Sequence, residues 1–183
     1  VKPIALRHPL IFYFGHTATF FINKLVLAGL IEQRINPGFE SMFAIGVDEM
    51  SWDDLSDVRY NWPSVADVRA YRQNVRATVD RIIRSKTLTL PIGWKDPFWI
   101  VLMGIEHERI HLETSSVLIR QHALKYVQPH SAWAPNTQTG VAPENALVAI
   151  SAGEVDEGKS FADPVYGWDN EYGHHHAEVP AFQ

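Results

Sequence analysis

The 183-residue sequence predicts a mainly α fold, in which a helical bundle is followed by the opening part of a smaller α+β domain. Three long segments before Leu124 carry apolar residues at helical spacing, and each begins with a residue that favours a helix start. After Leu124 proline, asparagine and glycine accumulate, with β-like pieces at 146–150 and around Val179. We therefore expect a bundle at 1–128, a linker at 129–145 and the start of a second domain at 146–183.

The composition is that of a globular protein without a strong bias toward one class of partner. Lysine and arginine number 16 against 21 acidic residues, and the resulting net charge of -5 gives no general attraction to nucleic acid or anionic membranes. The chain has no cysteine, so a metal site must use histidine, carboxylate or water. No run reaches the ~18 uninterrupted apolar residues of a spanning helix. We expect a cytoplasmic protein that acts on small molecules.

The first predicted helix runs from Pro9 to about Leu30. Apolar residues occur all round it, as in a helix inside a bundle. It carries one imidazole, His16, beside Gly15, which is small enough to let another group approach closely. A lone histidine on such a helix is usually a core residue, so His16 becomes a candidate ligand only if other histidines need a third partner.

Turn formers replace the helical spacing from Gln33 to Ser64, and we expect a long, ordered connection rich in aromatic residues, including Trp52. A capping box at Ser64 and Asp67 opens the second helix. Apolar residues at helical spacing predict its inward stripe: Val65, Val68, Tyr71, Val75, Val79 and Ile82. One face of this helix carries three arginines at three- and four-residue spacing, which form either an ordinary solvated face or a row that binds a carboxylate: Arg69, Arg72 and Arg76.

The third predicted helix, from Asp96 to Leu124, carries the strongest signal for a site. His107 and His111 lie about 40° apart around the helix and roughly 6 Å apart along it, so both imidazoles can reach one metal ion. We expect the pair to be buried, because apolar neighbours give the helix a wide apolar girth: Ile105, Ile110, Leu112, Val117 and Leu118. A buried imidazole needs a hydrogen-bond partner or a metal.

The third ligand can come from His16, since this is the histidine of the other apolar helix. Three imidazoles on one side of an ion leave the opposite positions open, which suits non-haem Fe(II) or a catalytic zinc, and spacing does not choose between them. We also expect Glu113 to accept a hydrogen bond from a ligand imidazole.

A peptidase is the alternative that the literal motif suggests. His107, Glu108 and His111 satisfy His-Glu-x-x-His, in which the glutamate activates water for hydrolysis. The continuation that would supply a third ligand from the same region is absent, so we do not favour this chemistry. We expect Glu108 instead to face solvent or to pair with Arg7 or another basic residue.

Three stretches resemble, in the same order, the sulfoxide synthases of thiol-histidine biosynthesis. They are LRHPLIFYFGHT at 6–17, EHERIHLET at 106–114 and GWDNE at 167–171. The likeness is greatest to the ovothiol branch, the 5-histidylcysteine sulfoxide synthases, and the ergothioneine sulfoxide synthases are related. It implies a DinB-like bundle followed by a domain like the formylglycine-generating enzyme and C-type lectins.

The resemblance also implies a reaction and a set of site residues. Fe(II), held by His16, His107 and His111, would use O2 to couple the sulfur of cysteine to an imidazole carbon of histidine as a sulfoxide. Arg69 and Arg72 would bind the carboxylate of the thiol substrate. The catalytic tyrosine of the family would lie beyond Gln183, so this chain could bind metal and lack activity. The alternatives are a DinB-like zinc-dependent thiol transferase and a non-catalytic metal-binding bundle.

Overall fold

The computed structural model describes residues 2–5, 7–44, 60–134 and 136–183, and the chain divides into compact units at 1–127 and 128–183. The prediction of a mainly helical chain with a small sheet near its C-terminus is confirmed. The described part of the first unit contains four α-helices, α1 (Leu10–Leu27), α2 (Pro37–Met42), α3 (Val65–Ser85) and α4 (Pro97–Arg120). The second contains an antiparallel pair of strands, β1 (Gly153–Glu157) and β2 (His175–Val179).

Helix α1 is the centre of the first unit, because it contacts each of the other three helices. It ends one turn before the predicted Leu30, since Gly29 adopts a φ of 67° that only glycine accepts readily. The N–H of Gly29 then donates to the carbonyl of Val26 (3.0 Å), and that of Leu30 to the carbonyl of Leu25 (2.9 Å). These two bonds satisfy the last carbonyls of the helix and turn the chain away.

By length and composition alone, α1 could also cross a membrane. A core helix of a bundle passes the same test, and half of this helix is buried by the rest of the protein. Its buried residues include His16, Thr17 and Thr19, whose polar groups would be costly in lipid. The packing is that of a bundle's core helix.

Helix α2 lies within the connection predicted from Gln33 to Ser64, where Asn36 and Pro37 are two of the turn formers that favour a connection over a helix. They are helix-start residues: the Asn36 side chain accepts a hydrogen bond from the N–H of Phe39 (3.1 Å), and Pro37 occupies the first turn. Residues 45–59 of the predicted connection, including Trp52, lie outside the described residues.

Helix α3 begins as predicted, with the Ser64 hydroxyl accepting from the N–H of Asp67 at 3.1 Å. Its predicted inward stripe packs on α1 and forms the main hydrophobic core, with buried residues Ala18, Ile22, Leu25, Tyr71, Val75 and Ile82. Val65 is the exception, since it is 55% exposed. Side chains of a helix lean toward its N-terminus, so the first residue reaches past the packed region.

Helix α4 begins with Asp96 as its cap, as predicted, but ends at Arg120 because 3₁₀-type bonds tighten its last turn. The predicted wide apolar girth is wrong: Ile105, Ile110, Leu112 and Val117 are each more than 40% exposed. The helix packs on α1 along one stripe. Its buried residues are Trp99, Val101, Gly104, His107, His111 and Leu118.

In the second unit, β1 and β2 pair with Gly153 opposite Val179 and Asp156 opposite His176. The predicted β-like piece at 146–150 contributes only an isolated bridge, in which Ile150 pairs with Phe182. The histidine tract 174–176 lies at this hairpin. His176 Nδ1 is 2.9 Å and His174 Nε2 is 3.4 Å from one carboxylate oxygen of Asp156.

Candidate metal centre

His16 is held in one orientation by the backbone that follows α2. Its side chain is almost fully buried, and its Nδ1 lies 2.6 Å from the carbonyl oxygen of Phe43. Because a carbonyl can only accept a hydrogen bond, Nδ1 must carry the proton. The lone pair of the neutral ring is therefore on Nε2, which is the atom directed toward the other two histidines.

The three predicted histidines lie together between α1 and α4. His16 Nε2 is 3.2 Å from His107 Nε2. Two nitrogens that bind one ion at about 2.1 Å lie about 3.0 Å apart at a right angle and about 3.4 Å apart at the tetrahedral angle. With His111 included, one ring nitrogen from each residue lies within 4.8 Å of the others, and all three side chains are buried. The spacing suits a shared ion.

Two ring nitrogens at this centre have no hydrogen-bond partner within the part of the chain that the structure describes. They are His107 Nδ1 and His111 Nδ1, and both are buried. The His107 ring also stacks on Phe20, with 3.7 Å between ring centroids and 10° between ring planes. Because an ion bound at Nε2 of His107 leaves Nδ1 of that ring unpaired, the convergence of three neutral imidazoles, rather than these two atoms, indicates a bound group. A divalent metal ion fits this donor set of three neutral nitrogens.

The protonation state of the centre also favours metal binding. Burial lowers the pKa of His107 to about 3, and the neighbouring His111 and His16 imidazoles add to the effect. Burial and His16 lower the pKa of His111 to about 4. Both rings are therefore neutral at pH 7, so metal binding does not have to release a proton from them to the solvent.

Among the described residues, two hydrogen bonds join α2 and the residue that follows it to α1, and one of them is the bond to His16. The Asn23 side-chain N–H donates to the backbone carbonyl of Glu40 (3.1 Å), and His16 donates to that of Phe43. His16 and Asn23 are seven residues apart, so they lie on one face of α1. The Phe43 ring packs directly over Gly15, where no larger residue fits without movement.

The Glu40 carboxylate holds the start of α2 in place. It is 2% exposed and accepts three hydrogen bonds of 2.9 to 3.1 Å, from the backbone N–H groups of Ile35 and Asn36 and from the side chain of Arg34. Neither Glu40 nor the backbone carbonyl of Phe43 was among the predicted site residues. The available signal was the helix cap at Asn36 and Pro37, which would have placed both residues on a helix or at its end.

Two cavities lie beside the arginine row of α3, and one of them reaches His111. The arginine cleft, about 330 Å³, lies between α1, α3 and α4 and is lined by Arg69, Arg72, Arg76 and Glu108, among others. The His111 cleft, about 310 Å³, extends from the same region to His111. Phe14, Arg72 and Glu108 line both cavities, so one pair of charged side chains stands between them.

Arg72 is fixed by α1. Its Nη1 donates to the backbone carbonyl of Phe14 and to the Thr17 hydroxyl, both at 2.7 Å, and its guanidinium lies over the Phe14 ring. Its Nη2 is 3.6 Å from a carboxylate oxygen of Glu108. Arg69 and Arg76 are exposed. One of the two expectations for Glu108 was an ion pair with a basic residue. The structure shows this pair, and the partner is Arg72.

Within the described part of the chain, Glu113 does not accept the expected hydrogen bond from a ligand imidazole. It is exposed, and no hydrogen bond described by the structure joins its carboxylate to His107 or His111. One turn of helix separates residues 107 and 111 on the buried stripe, whereas residue 113 falls about 140° away from the mean direction of the two histidines. This angle turns the side chain away from the centre.

Comparison with known proteins gives two matches. A family model described as the DinB superfamily matches residues 1–115, which include the three histidines and the arginine row. A curated relative, ergothioneine biosynthesis protein 1 of Neurospora crassa, is 25% identical over 201 aligned residues. That alignment covers 100% of this chain and 22% of the relative, so the chain spans about a fifth of the relative's length.

Proposed function

Because this chain belongs to the DinB superfamily, we propose that its three buried histidines bind one divalent metal ion and that this ion is Fe(II). The observation that carries the proposal is the pair of Nε2 atoms, from His16 and His107, 3.2 Å apart. The bond from His16 Nδ1 to a carbonyl supports it, because it leaves the ligand nitrogen unprotonated. The open side of the ion would face the His111 cleft.

We propose further that the protein is a sulfoxide synthase that joins the sulfur of cysteine to the imidazole of histidine, of the ovothiol type. Support comes from the three sequence motifs and from a relative named for ergothioneine biosynthesis. When bound, the iron would supply the activation of O2 and the oxidation of the sulfur. The chain's own residues bind and orient the substrates.

The arginine row would bind the carboxylate of the thiol substrate. Arg69 and Arg76 supply positive charge at the arginine cleft, and Arg72 presents Nη2 where that cleft meets the His111 cleft. A small amino acid held by its carboxylate at Arg72 would extend its thiol toward the histidines. Fixing the substrate at both ends lowers the entropic cost of reaching the reactive geometry.

The second unit would begin a domain like the formylglycine-generating enzyme. The hairpin β1–β2 and the GWDNE motif at 167–171 support this assignment. In the motif, the Glu171 carboxylate accepts a hydrogen bond from the N–H of Trp168 (2.9 Å), which closes a tight turn. Further substrate contacts and a catalytic tyrosine would belong to that domain.

A zinc-dependent thiol transferase is the second candidate, because three neutral imidazoles with open positions suit zinc equally well. A peptidase is less well supported. Its general base would have to be Glu108, whose carboxylate lies beside the Arg72 guanidinium.

The first experiment measures metal binding by the chain. We expect about one Fe(II) per chain under anaerobic conditions, a sharp loss of affinity in His111→Ala, and no change in the control His130→Ala, which removes an exposed histidine of the second unit. The full-length gene product should consume O2 only when cysteine and histidine are both present. Bound zinc without O2 uptake would favour the transferase, and full metal content in His111→Ala would contradict the assigned ligands.

A further inference from the structure

Glu108 is the one carboxylate among the described residues that line the arginine cleft. Three arginines of α3 surround this cleft, so its potential is positive apart from this side chain. Glu108 also lines the His111 cleft, next to the proposed metal ligands. Its position is therefore the one where an anionic substrate would meet Arg72.

The contacts described for Arg72 leave one edge of its guanidinium for an anion. Its Nη1 is occupied by the Phe14 carbonyl and the Thr17 hydroxyl, and both bonds are short. Its Nη2 faces Glu108 across 3.6 Å, which is longer than a hydrogen bond. A substrate carboxylate and Glu108 would thus compete for the same part of the guanidinium.

The Arg72–Glu108 pair is loose enough to be displaced. The two side chains are 30% and 38% exposed, and ion pairs of this kind contribute little because solvent screens them. A substrate carboxylate can approach Arg72 within hydrogen-bonding distance and can also interact with Arg69 in the same cleft. Charge-assisted hydrogen bonds of that geometry are stronger than a separated ion pair.

We propose that Glu108 is an internal counter-ion for Arg72. Glu108 pairs with the Nη2 edge of the guanidinium while the cleft is empty, and the carboxylate of the substrate displaces it. Glu108 then sets the affinity and selectivity of the cleft for anionic thiols. This inference rests on the proposed function, since it assumes that a thiol substrate binds with its carboxylate at Arg72. Removing the charge of a catalytic base abolishes its function, whereas removing the charge of this counter-ion improves substrate binding. The two roles of Glu108 therefore predict opposite effects of neutralising it.

The test uses two small thiols that differ in one group. 3-Mercaptopropionate has a carboxylate and cysteamine has an amine instead, whereas both carry a thiol that can approach a metal. Their dissociation constants are measured by calorimetry on the metal-loaded chain under anaerobic conditions. Metal content is determined for each variant, because residue 108 adjoins a proposed ligand.

The variants are Glu108→Gln, its matched control Glu106→Gln, and Arg69→Gln, which removes a cationic side chain of the arginine cleft. Both glutamate variants remove one negative charge beside His107, but Glu106 pairs with Arg109 and lines neither cleft. We expect Glu108→Gln to lower the dissociation constant of 3-mercaptopropionate roughly two- to fivefold. The effect is small because the Glu108 carboxylate, which competes for Arg72, is partly exposed and screened by solvent. Cysteamine should bind no better to this variant, and Glu106→Gln should leave both constants close to those of the unmutated chain.

The outcomes separate the inference from the proposed function. Weaker or unchanged binding of 3-mercaptopropionate by Glu108→Gln, together with weaker binding by Arg69→Gln, would overturn the counter-ion role and leave the carboxylate site standing. Equal changes in Glu108→Gln and Glu106→Gln would overturn it as well, because the effect would then be one of net charge. If 3-mercaptopropionate and cysteamine bind equally well to every variant, both the counter-ion role of Glu108 and the carboxylate site at Arg72 are overturned.

Discussion

The position of the ring proton decides which nitrogen of His16 can bind a metal ion. Its Nδ1 donates to the Phe43 carbonyl, so its Nε2 can only accept. In the 3.2 Å contact between the two Nε2 atoms, the proton of the metal-free protein must therefore belong to His107. Binding of an ion would move that proton to Nδ1 of His107, which exchanges one tautomer of a neutral ring for the other.

The lowered pKa values of two histidines predict a pH effect on stability. In the metal-free protein the pKa is about 3 for His107 and about 4 for His111, against about 6.5 in an unfolded chain. Between these values the unfolded state binds more protons than the folded state. The free energy of unfolding should therefore fall as the pH drops below about 6.5, by at most about 1.4 kcal/mol per pH unit for each group.

Urea denaturation of the metal-free chain at several pH values between about 7 and 4.5 measures this effect. His107→Leu should show a shallower fall, because it removes one of the two groups and keeps an apolar side chain against Phe20. His130→Ala should show the full effect, since that imidazole is exposed. Equal slopes in all three proteins would contradict the assignment of the effect to His107.

At the scale of elements, the distance between α1 and α4 controls the centre, because each helix supplies part of it. At Gly104 the Phe21 ring of α1 packs so close to the α4 backbone that a Cβ atom there would meet it. Gly104 lies three residues before His107, almost on the same face of the helix. A larger residue at 104 would move the two helices apart near the ligands.

We therefore expect Gly104→Ala to lower the free energy of unfolding by about 1–3 kcal/mol and to weaken metal binding, because the added methyl group meets the Phe21 ring. Thermal or chemical denaturation and a metal titration provide the measurements. Gly93→Ala is the control, since a methyl group there meets nothing within 4 Å. Adding Phe21→Leu to Gly104→Ala should restore part of both losses, and failure of this rescue would argue against a steric cause.

At the scale of the whole molecule, the residues of the proposed centre all belong to the first compact unit, 1–127. The main core, the bond from His16 to Phe43 and both clefts also lie within it. Folding energy comes chiefly from burial within such a core. The elements that position the ligands are therefore contained in one unit.

We expect residues 1–127, expressed alone, to fold and to bind metal with an affinity close to that of the 183-residue chain. Far-ultraviolet circular dichroism and a metal titration test this. An isolated unit that is helical but does not bind metal would contradict the prediction. Cysteine and histidine should not be coupled by this unit alone, because the proposed reaction also draws on the second domain.

The sequence by itself determined the features that depend on local interactions. Caps at Ser64 and Asp96 fixed where two helices begin, because a side chain two or three residues away satisfies the first N–H groups. The four-residue spacing of His107 and His111 placed them on one face of α4, since the helical repeat requires it. His16 was a candidate ligand because it is the histidine of another apolar helix and because the resemblance implies it. The structure brings its ring close to those of His107 and His111.

The tertiary structure decided what depends on groups distant in the chain. The Phe43 carbonyl that fixes His16 lies 27 residues away, and the Glu108 partner, Arg72, comes from another helix. Which apolar residues of α4 are buried also followed from packing, because the helix meets α1 along only one stripe. A local pattern carries no information on these partners, since hydrogen bonds and ion pairs between elements depend on how the helices pack.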